Sequence, residues 1–391
     1  MRVDVAVVGA GPAGLCLACG LADAGFEVAL VERQPRMALA DPADDGREIA
    51  LTHASRDRMQ RLGMWDRLDS GHVWPLRAAR VMDGRGEHPV DIRPDASADQ
   101  LGYMVANASI RRAAFEAAMA RPAIHLLDEA AVEDIEADES GALVHHAGEP
   151  VRARLVVAAD SRFSAVRRLF GIGARMRDFG RSMLVCRMAH EKSHGSVAWE
   201  WFGYGQTLAL LPLQEGHSSV VLTLPQQQAR ALQAMDADAF EQAMQERFEH
   251  RLGMLCLLGE RHVYPLVGTY AQHFVARRCA LVGDAAVGMH PVTAHGFNFG
   301  LQSTDTLTAV LRDAVARGED IGSRNVLAAY ERTHRRATRP LYLATALIAS
   351  LYTDDRPPAR LLRGALLQAA GKLPPFRRLI AAHLTRRAAA H

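Results

Sequence analysis

Residues 3–14 read VDVAVVGAGPAG, and this stretch decides the fold. Six residues, four of them valine, run into Gly9-Ala10-Gly11-Pro12-Ala13-Gly14, a Gly-x-Gly-x-x-Gly turn, and a helical stretch follows to about Ala24. A second strand, Glu27–Val31, ends at Glu32. Strand, glycine turn, helix and strand make a β-α-β unit. Gly9 permits the tight turn, Gly11 lets the backbone approach a pyrophosphate, and Gly14 lets helix and strand pack closely. The helix start at Pro12 and Ala13 then offers backbone amides and the positive end of the helix dipole to an anion. Glu32 lies 18 residues past Gly14, where a carboxylate can accept hydrogen bonds from a ribose, with Arg33 beside it. The motif specifies an adenine dinucleotide but does not choose between NAD and FAD.

At 391 residues the chain exceeds the usual size of one core, so two or more domains are expected. Its 49% apolar and 23% charged residues are ordinary for a soluble globular protein. A net charge of +2 gives no electrostatic case for nucleic acid. The charge is uneven, however: beyond Pro340, eight basic residues face only Asp354 and Asp355, a tail of +6. Five scattered cysteines fit a reducing cytosol without a disulfide framework. Cys16 and Cys19 form a Cys-x-x-Cys, but inside the first helix, where packing is favoured over a redox pair. No apolar run reaches the roughly 18 residues of a membrane span, so the chain is expected not to cross a bilayer.

Farther along, 41–48 reads as loop, 51–68 carries helical spacing, 73–93 reads as strands with turns, and a helix is expected at about 108–120. Between about 180 and 225 the pattern becomes alternating and aromatic, in SMLVCRM, SVAWEWF, TLALLPL and SSVVLTL, as in an antiparallel sheet. Residues 236–256 read as helix, 278–282 as a buried strand, and 300–317 and 325–337 as helices. The resulting fold class is α/β. A Rossmann-like dinucleotide-binding domain comprises 1–70, 100–178 and 266–340. An antiparallel substrate domain, 71–99 and 179–265, is inserted into it, and 341–391 forms a basic helical C-terminal region.

Two more strand-ending stretches bear on the cofactor. Asp160-Ser161-Arg162-Phe163-Ser164-Ala165-Val166-Arg167 follows the strand RLVVAA, and Gly283-Asp284 follows RCALV. With the N-terminal glycines, these resemble the three-part signature of the group A flavin monooxygenases, the para-hydroxybenzoate hydroxylase-like family. That family carries a middle Asp-Gly motif and a late Gly-Asp motif followed by Pro and a Gly-rich turn. The resemblance runs from residue 3 to the C-terminal region and implies FAD. It implies that Asp284 binds the ribityl chain and that the turn at Gly296, Phe297 and Asn298 lies against the flavin's pyrimidine edge. It adds Asp160, Arg167, Gly283 and Pro291, an arginine near the flavin at Arg47 in GREIALTHAS, and a helix-side contact at Arg111 in ANASIRRAAF.

The stretch GDAAVGMHPVTAHGFNFG, 283–300, then reads as a flavin cradle. Small residues leave room for the ring, and the helix after Ala294 presents its positive end to reduced flavin. His290 and His295 lack the three or four partners of a metal site and read as packed or flavin-edge residues, so no metal is expected. His290, Pro291, His295 and Trp201 are the candidates on the substrate side; for Trp201, pocket lining and sheet packing are equally open. Two departures from the family stand out. Ala294-His295 replace Gly-Gln. Ser161 replaces Gly, and would store about 1–2 kcal/mol if it needed φ > 0.

Within the family, LTHASRDRMQRLGMW, LGYMVANASIRRA and HPVTAHGFNFGLQSTDTL most resemble the ubiquinone-biosynthesis hydroxylases of the UbiH, UbiF and UbiM type, with HPVTAHGFN nearest the UbiM branch of 5-demethoxyubiquinol hydroxylases. The resemblance implies an FAD-dependent monooxygenase in which NAD(P)H docks transiently to reduce FAD and O₂ adds to the flavin. The resulting hydroperoxide hydroxylates the ring of a polyprenyl phenol or quinol, so no side-chain nucleophile is required. It implies a cytoplasmic protein that visits the membrane surface or a ubiquinone-biosynthesis complex, for which the basic tail would suit anionic headgroups or a partner. A same-fold hydroxylase of a soluble aromatic compound or antibiotic, and a non-catalytic flavoprotein, are the alternatives.

Overall fold

The computed structural model describes residues 1–84, 89–94, 98–203, 205–289 and 296–353. VDVAVV forms the central strand Arg2–Val8 of a parallel sheet. It pairs in parallel with Val151–Ala158 on one side and Val28–Val31 on the other, and Ile124–Leu127 and Cys279–Leu281 extend the sheet. A strand buried on both faces needs a continuous apolar run, and Val5, Ala6 and Val7 are completely buried. The helix Pro12–Asp23 covers this sheet beside the helix Gly296–Ala316, burying Cys16 and Cys19. Burial pushes the Cys16 thiol well up and the Cys19 thiol up to about 11. Both therefore pack as apolar groups.

The second sheet runs Val287–Gly288, Leu255–Ala271, Ala174–His190, His217–Pro225, Gln206–Pro212, Val197–Gly203, Ala78–Asp83, Val90–Ile92. All neighbours are antiparallel except Val197–Gly203 with Ala78–Asp83. Its two longest strands, Ala174–His190 and Leu255–Ala271, have 17 residues each and pair along most of their length, with register shifts after Asp178 and Val185. One face packs on the helices Gln226–Ala234 and Ala237–Arg247 through Leu184, Leu222 and Phe240. The other meets a three-stranded sheet of Glu48–Leu51, Gly102–Ala106 and Val73–Leu76.

Several elements differ from the sequence reading. The expected helix over 51–68 is a strand end, then His53–Arg61, because the Thr52 hydroxyl accepts from Ser55 N and starts the helix there. The expected helix over 236–256 ends at Arg247; Glu249 and His250 take left-handed backbone, and a strand begins at Leu255. The last helix, Arg324–Thr353, continues through Pro340, so the boundary expected there falls inside an element. Ser161 is absent from the residues with positive φ, and its hydroxyl accepts from Phe163 N at 3.1 Å. The substitution of Ser for Gly in the middle motif therefore carries no left-handed strain. Among the described residues no helix is long and apolar enough to cross a membrane.

Candidate active site

The glycine turn is built as its spacing requires. Gly9 has φ +107°, and a Cβ there would meet Ala159 O at 2.7 Å. A Cβ on Gly14 would lie 1.8 Å from Gly9 O, so helix and turn could not keep this approach. A Cβ on Gly11 would meet nothing within 4 Å, and no side chain caps the helix start at Pro12. The space in front of those amides is open, as a pyrophosphate requires. Glu32 accepts from Ala10 N at 2.7 Å and Gln34 N at 2.9 Å, which brings the acid to the rim of the turn; Arg33 is exposed.

The middle motif adjoins this turn. Asp160 Oδ2 accepts from Ala165 N at 2.7 Å, while Oδ1 is buried without a partner. Such an orphan acceptor beside Gly9 fits a hydroxyl-bearing ligand. Arg167 is spent on the protein: Nη1 donates to Ala285 O at 2.9 Å and Nη2 to Arg162 O at 3.1 Å. It positions the late motif rather than reaching outward. Arg162, missed in the sequence, donates to Asp284 Oδ2 at 2.9 Å and Val267 O at 3.0 Å. Its one signal is its place two residues after Asp160.

Gly283 has φ +58°, and a Cβ there would lie 2.9 Å from Ala13 Cβ; a Cβ on Gly300 would lie 3.7 Å from the same atom. Ala13, Gly283 and Gly300 therefore let the first and late motifs close on each other. Gly296 begins the helix Gly296–Ala316, Phe297 packs on the main core, and Asn298 faces the strand Glu48–Leu51. Asn298 Oδ1 accepts from Thr52 N at 3.1 Å and Nδ2 donates to Ala50 O at 2.9 Å. His290, Pro291 and His295 lie outside the described residues.

Just before that strand Arg47 donates through Nε to Asp45 Oδ2 at 3.0 Å, with its guanidinium 5.4 Å from the centre of the Tyr264 ring. Asn107 also donates to Asp45 Oδ2, at 2.7 Å, at the start of the helix Asn107–Met119. Arg111, about one turn along that helix, is half-buried and has no hydrogen bond or ion pair among the described residues. Burial would raise the Asp45 carboxyl, but the hydrogen bonds and charge of Arg47, with Asn107, hold it below the usual range. Next to it Arg187 donates to Glu48 Oε1 at 2.9 Å and Asp44 Oδ2 at 2.8 Å, joining the second sheet to the cofactor domain. Burial pushes the Glu48 carboxyl up to about 7 against the pull of Arg187, and its Oε2 has no partner.

Trp201 is not on this side. Its Nε1 donates to Gly84 O at 2.7 Å, and the ring sits in the helix-side core with the Arg251 guanidinium 4.5 Å from its centre. Side chains alternate along the strand, and register assigns Trp201 to the face away from Glu48.

Residues 2–342 match the FAD-binding domain family. The chain is 44% identical to the ubiquinone hydroxylase UbiM of Neisseria meningitidis, over 98% of this chain and 85% of that protein. It is 30% identical to the 3-demethoxyubiquinol 3-hydroxylase of Escherichia coli, over 96% of each chain. The chain belongs to the FAD-dependent ubiquinone hydroxylase family.

Fold comparison agrees: p-nitrophenol 4-monooxygenase PnpA of Pseudomonas putida superposes with a TM-score of 0.79 at 20% identity, over 99% of both chains. PqsL of Pseudomonas aeruginosa superposes with a TM-score of 0.76 at 20% identity, over 94% of this chain and all of that one. The expected fold class, FAD as cofactor and monooxygenase activity therefore hold for this member of the family. Among the described residues, no group of three or more His, Cys, Asp or Glu is placed to hold a metal ion.

Proposed function

We propose that this chain hydroxylates the ring of a polyprenylated phenol or quinol on the route to ubiquinone, with NAD(P)H as transient reductant and O₂ as oxygen donor. The carrying observation is the near full-length 44% identity to UbiM. FAD, when bound, supplies the oxygen-transfer chemistry. The chain's own residues bind, orient and exclude water. Gly11 and the amides of the following helix receive the pyrophosphate, Glu32 the ribose, and Asp160 and Asp284 the hydroxyl-bearing remainder. Arg47 and Arg111 flank it, and Asn298 holds the strand Glu48–Leu51 against the flavin-side helix. The second sheet roofs this strand through the bonds from Arg187 to Glu48 and Asp44, closing the reacting ring off from solvent.

A substrate with a long apolar chain brings the enzyme to a membrane surface. Leu343 and Leu347, 56% and 70% exposed and one helical turn apart, lead into the basic tail and support docking there. The decisive experiment is quinone profiling by mass spectrometry in bacteria lacking each ring hydroxylase in turn. Restored ubiquinone in one strain assigns the ring position; restoration in none rejects the proposal.

A further inference from the structure

The face of the second sheet turned toward the cofactor domain carries a carboxyl group that no described residue pairs with. On Val197–Gly203 the side chains alternate. Trp199 and Trp201 join the helix-side core, while Ala198 packs on the opposite side with Ala79, Val81 and Leu211 against Ala50 and Trp74. Glu200 shares that second side. Its cross-strand neighbours are Val81 and Ala209, and the row continues through Val221 and Val185. Around the acid the wall is therefore aliphatic.

Among the described residues neither a hydrogen bond nor an ion pair reaches the Glu200 carboxyl, and burial pushes it up to about 8. The residue nevertheless keeps accessible surface. Register places the side chain on the face that meets the three-stranded sheet, so its accessible surface lies on the cofactor side of this sheet. A partly buried acid without a partner is costly, and a leucine here would remove that cost. Apolar pockets with one placed polar group are how proteins orient a small ligand. In its neutral form the acid offers one O–H donor and a carbonyl acceptor.

We propose that Glu200 is the polar anchor of the substrate pocket, hydrogen-bonding a ring oxygen of a neutral phenol or quinol and turning away aromatic carboxylates. The inference rests on the ring-hydroxylase reading above and names the substrate class it admits. A benzoate-type carboxylate placed here would meet a second acid among the aliphatic neighbours Val81, Ala209 and Val221. A hydroxyl or ether oxygen would complete the unsatisfied group.

Other titratable groups lie on the same face of the sheet or across from it. On the sheet these are Asp83, Arg181, Arg187, His262 and Tyr264; across the gap they are Asp44, Asp45, Arg47 and Glu48. Those nearest the cofactor loop pair with it: Arg187 with Glu48 and Asp44, Arg47 with Asp45, and Tyr264 with the Asp45 carbonyl. None of them acts on Glu200.

The test uses the FAD-loaded enzyme, a 2-methoxyphenol bearing one isoprenoid unit, and 4-hydroxybenzoate as its carboxylated counterpart. Binding is read from flavin fluorescence and turnover from product mass. Wild type should bind the methoxyphenol, reject the benzoate, and lose about tenfold in affinity between about pH 7 and about pH 9 as the carboxylate forms. Glu200→Gln keeps a neutral donor, so its affinity should stay within about threefold of wild type at about pH 7 and be flat across that interval. Glu200→Leu should raise KM about tenfold or more while FAD occupancy and kcat stay near wild type. Turnover of the methoxyphenol with a KM and pH profile unmoved by either substitution overturns the inference alone. FAD-loaded wild type that never turns over the neutral phenol overturns the ring-hydroxylase reading as well.

Discussion

Arg167 Nη1 donates to the carbonyl of Ala285 at 2.9 Å, joining two turns 118 positions apart. The guanidinium is buried, with Arg167 3% exposed, and its other hydrogen bond holds Arg162 O. Removing it leaves two carbonyls without their donor in the junction between the middle and late motifs. Arg167→Met should cost about 2–4 kcal/mol in urea unfolding and should release FAD. Arg168→Ala, which loses an exposed bond to Phe163 O, should stay within about 1 kcal/mol of wild type. Equal stability of the two variants would show that the junction does not depend on Arg167.

Gly11 and Gly14 separate ligand binding from folding. The Cβ of Gly14→Ala would meet Gly9 O at 1.8 Å, so this variant should lose more than about 3 kcal/mol or fail to fold. Gly11→Ala meets no protein atom, so the apoprotein should melt within a few degrees of wild type while FAD binds at least about tenfold more weakly. Thermal melts with and without FAD read both effects; an unchanged FAD affinity in Gly11→Ala would remove the pyrophosphate from this turn.

Asn298 satisfies a backbone donor and a backbone acceptor of Ala50–Thr52 with one amide. Asn298→Ala leaves both buried groups unpaired and should cost about 2–3 kcal/mol. Because the strand that starts at Glu48, next to Arg47, is then held less tightly, FAD occupancy should fall too. Denaturant titration paired with the flavin absorbance ratio checks both.

Glu48 links stability to pH. Its carboxyl is raised from 4.5 to about 7 by burial, so the fold prefers its neutral form. The stabilisation is fully present below about pH 4.5 and lost as pH rises through about 7, on the order of 2–3 kcal/mol. Glu48→Gln keeps an acceptor for Arg187, which also retains Asp44, and should abolish this component. Urea unfolding of both proteins between about pH 4 and about pH 8 gives the difference; parallel curves would show that the Arg187 pair outweighs burial.

Deleting residues 357–391 should lower recovery in the membrane fraction while the protein stays yellow. Unchanged fractionation would reject the basic tail as an anchor.

How much of this was legible follows from range. The β-α-β unit and the roles of Gly9, Gly11 and Gly14 depend on a strand, a turn and a helix adjacent in the chain, so spacing alone reveals them. The middle and late motifs could be found by resemblance, but not their wiring. Arg162 meets Asp284 across 122 positions, and no local pattern marks that pair. Likewise the helix running through Pro340 depends on which neighbours pack there, whereas Thr52 as a helix cap is a local signal that the spacing reading passed over.

By itself the sequence determined the dinucleotide turn and the alternating runs of the second sheet, because each rests on local periodicity or fixed spacing, while the family came from the resemblance of its motifs. Only the tertiary structure decided that Trp201 points to the helix-side core and Glu200 to the cofactor side. Alternation says that neighbouring side chains take opposite faces, but not which face is which. That choice belongs to the hydrogen-bond register with strands such as Ala78–Asp83, more than a hundred residues away, where a slip of one residue would exchange the two.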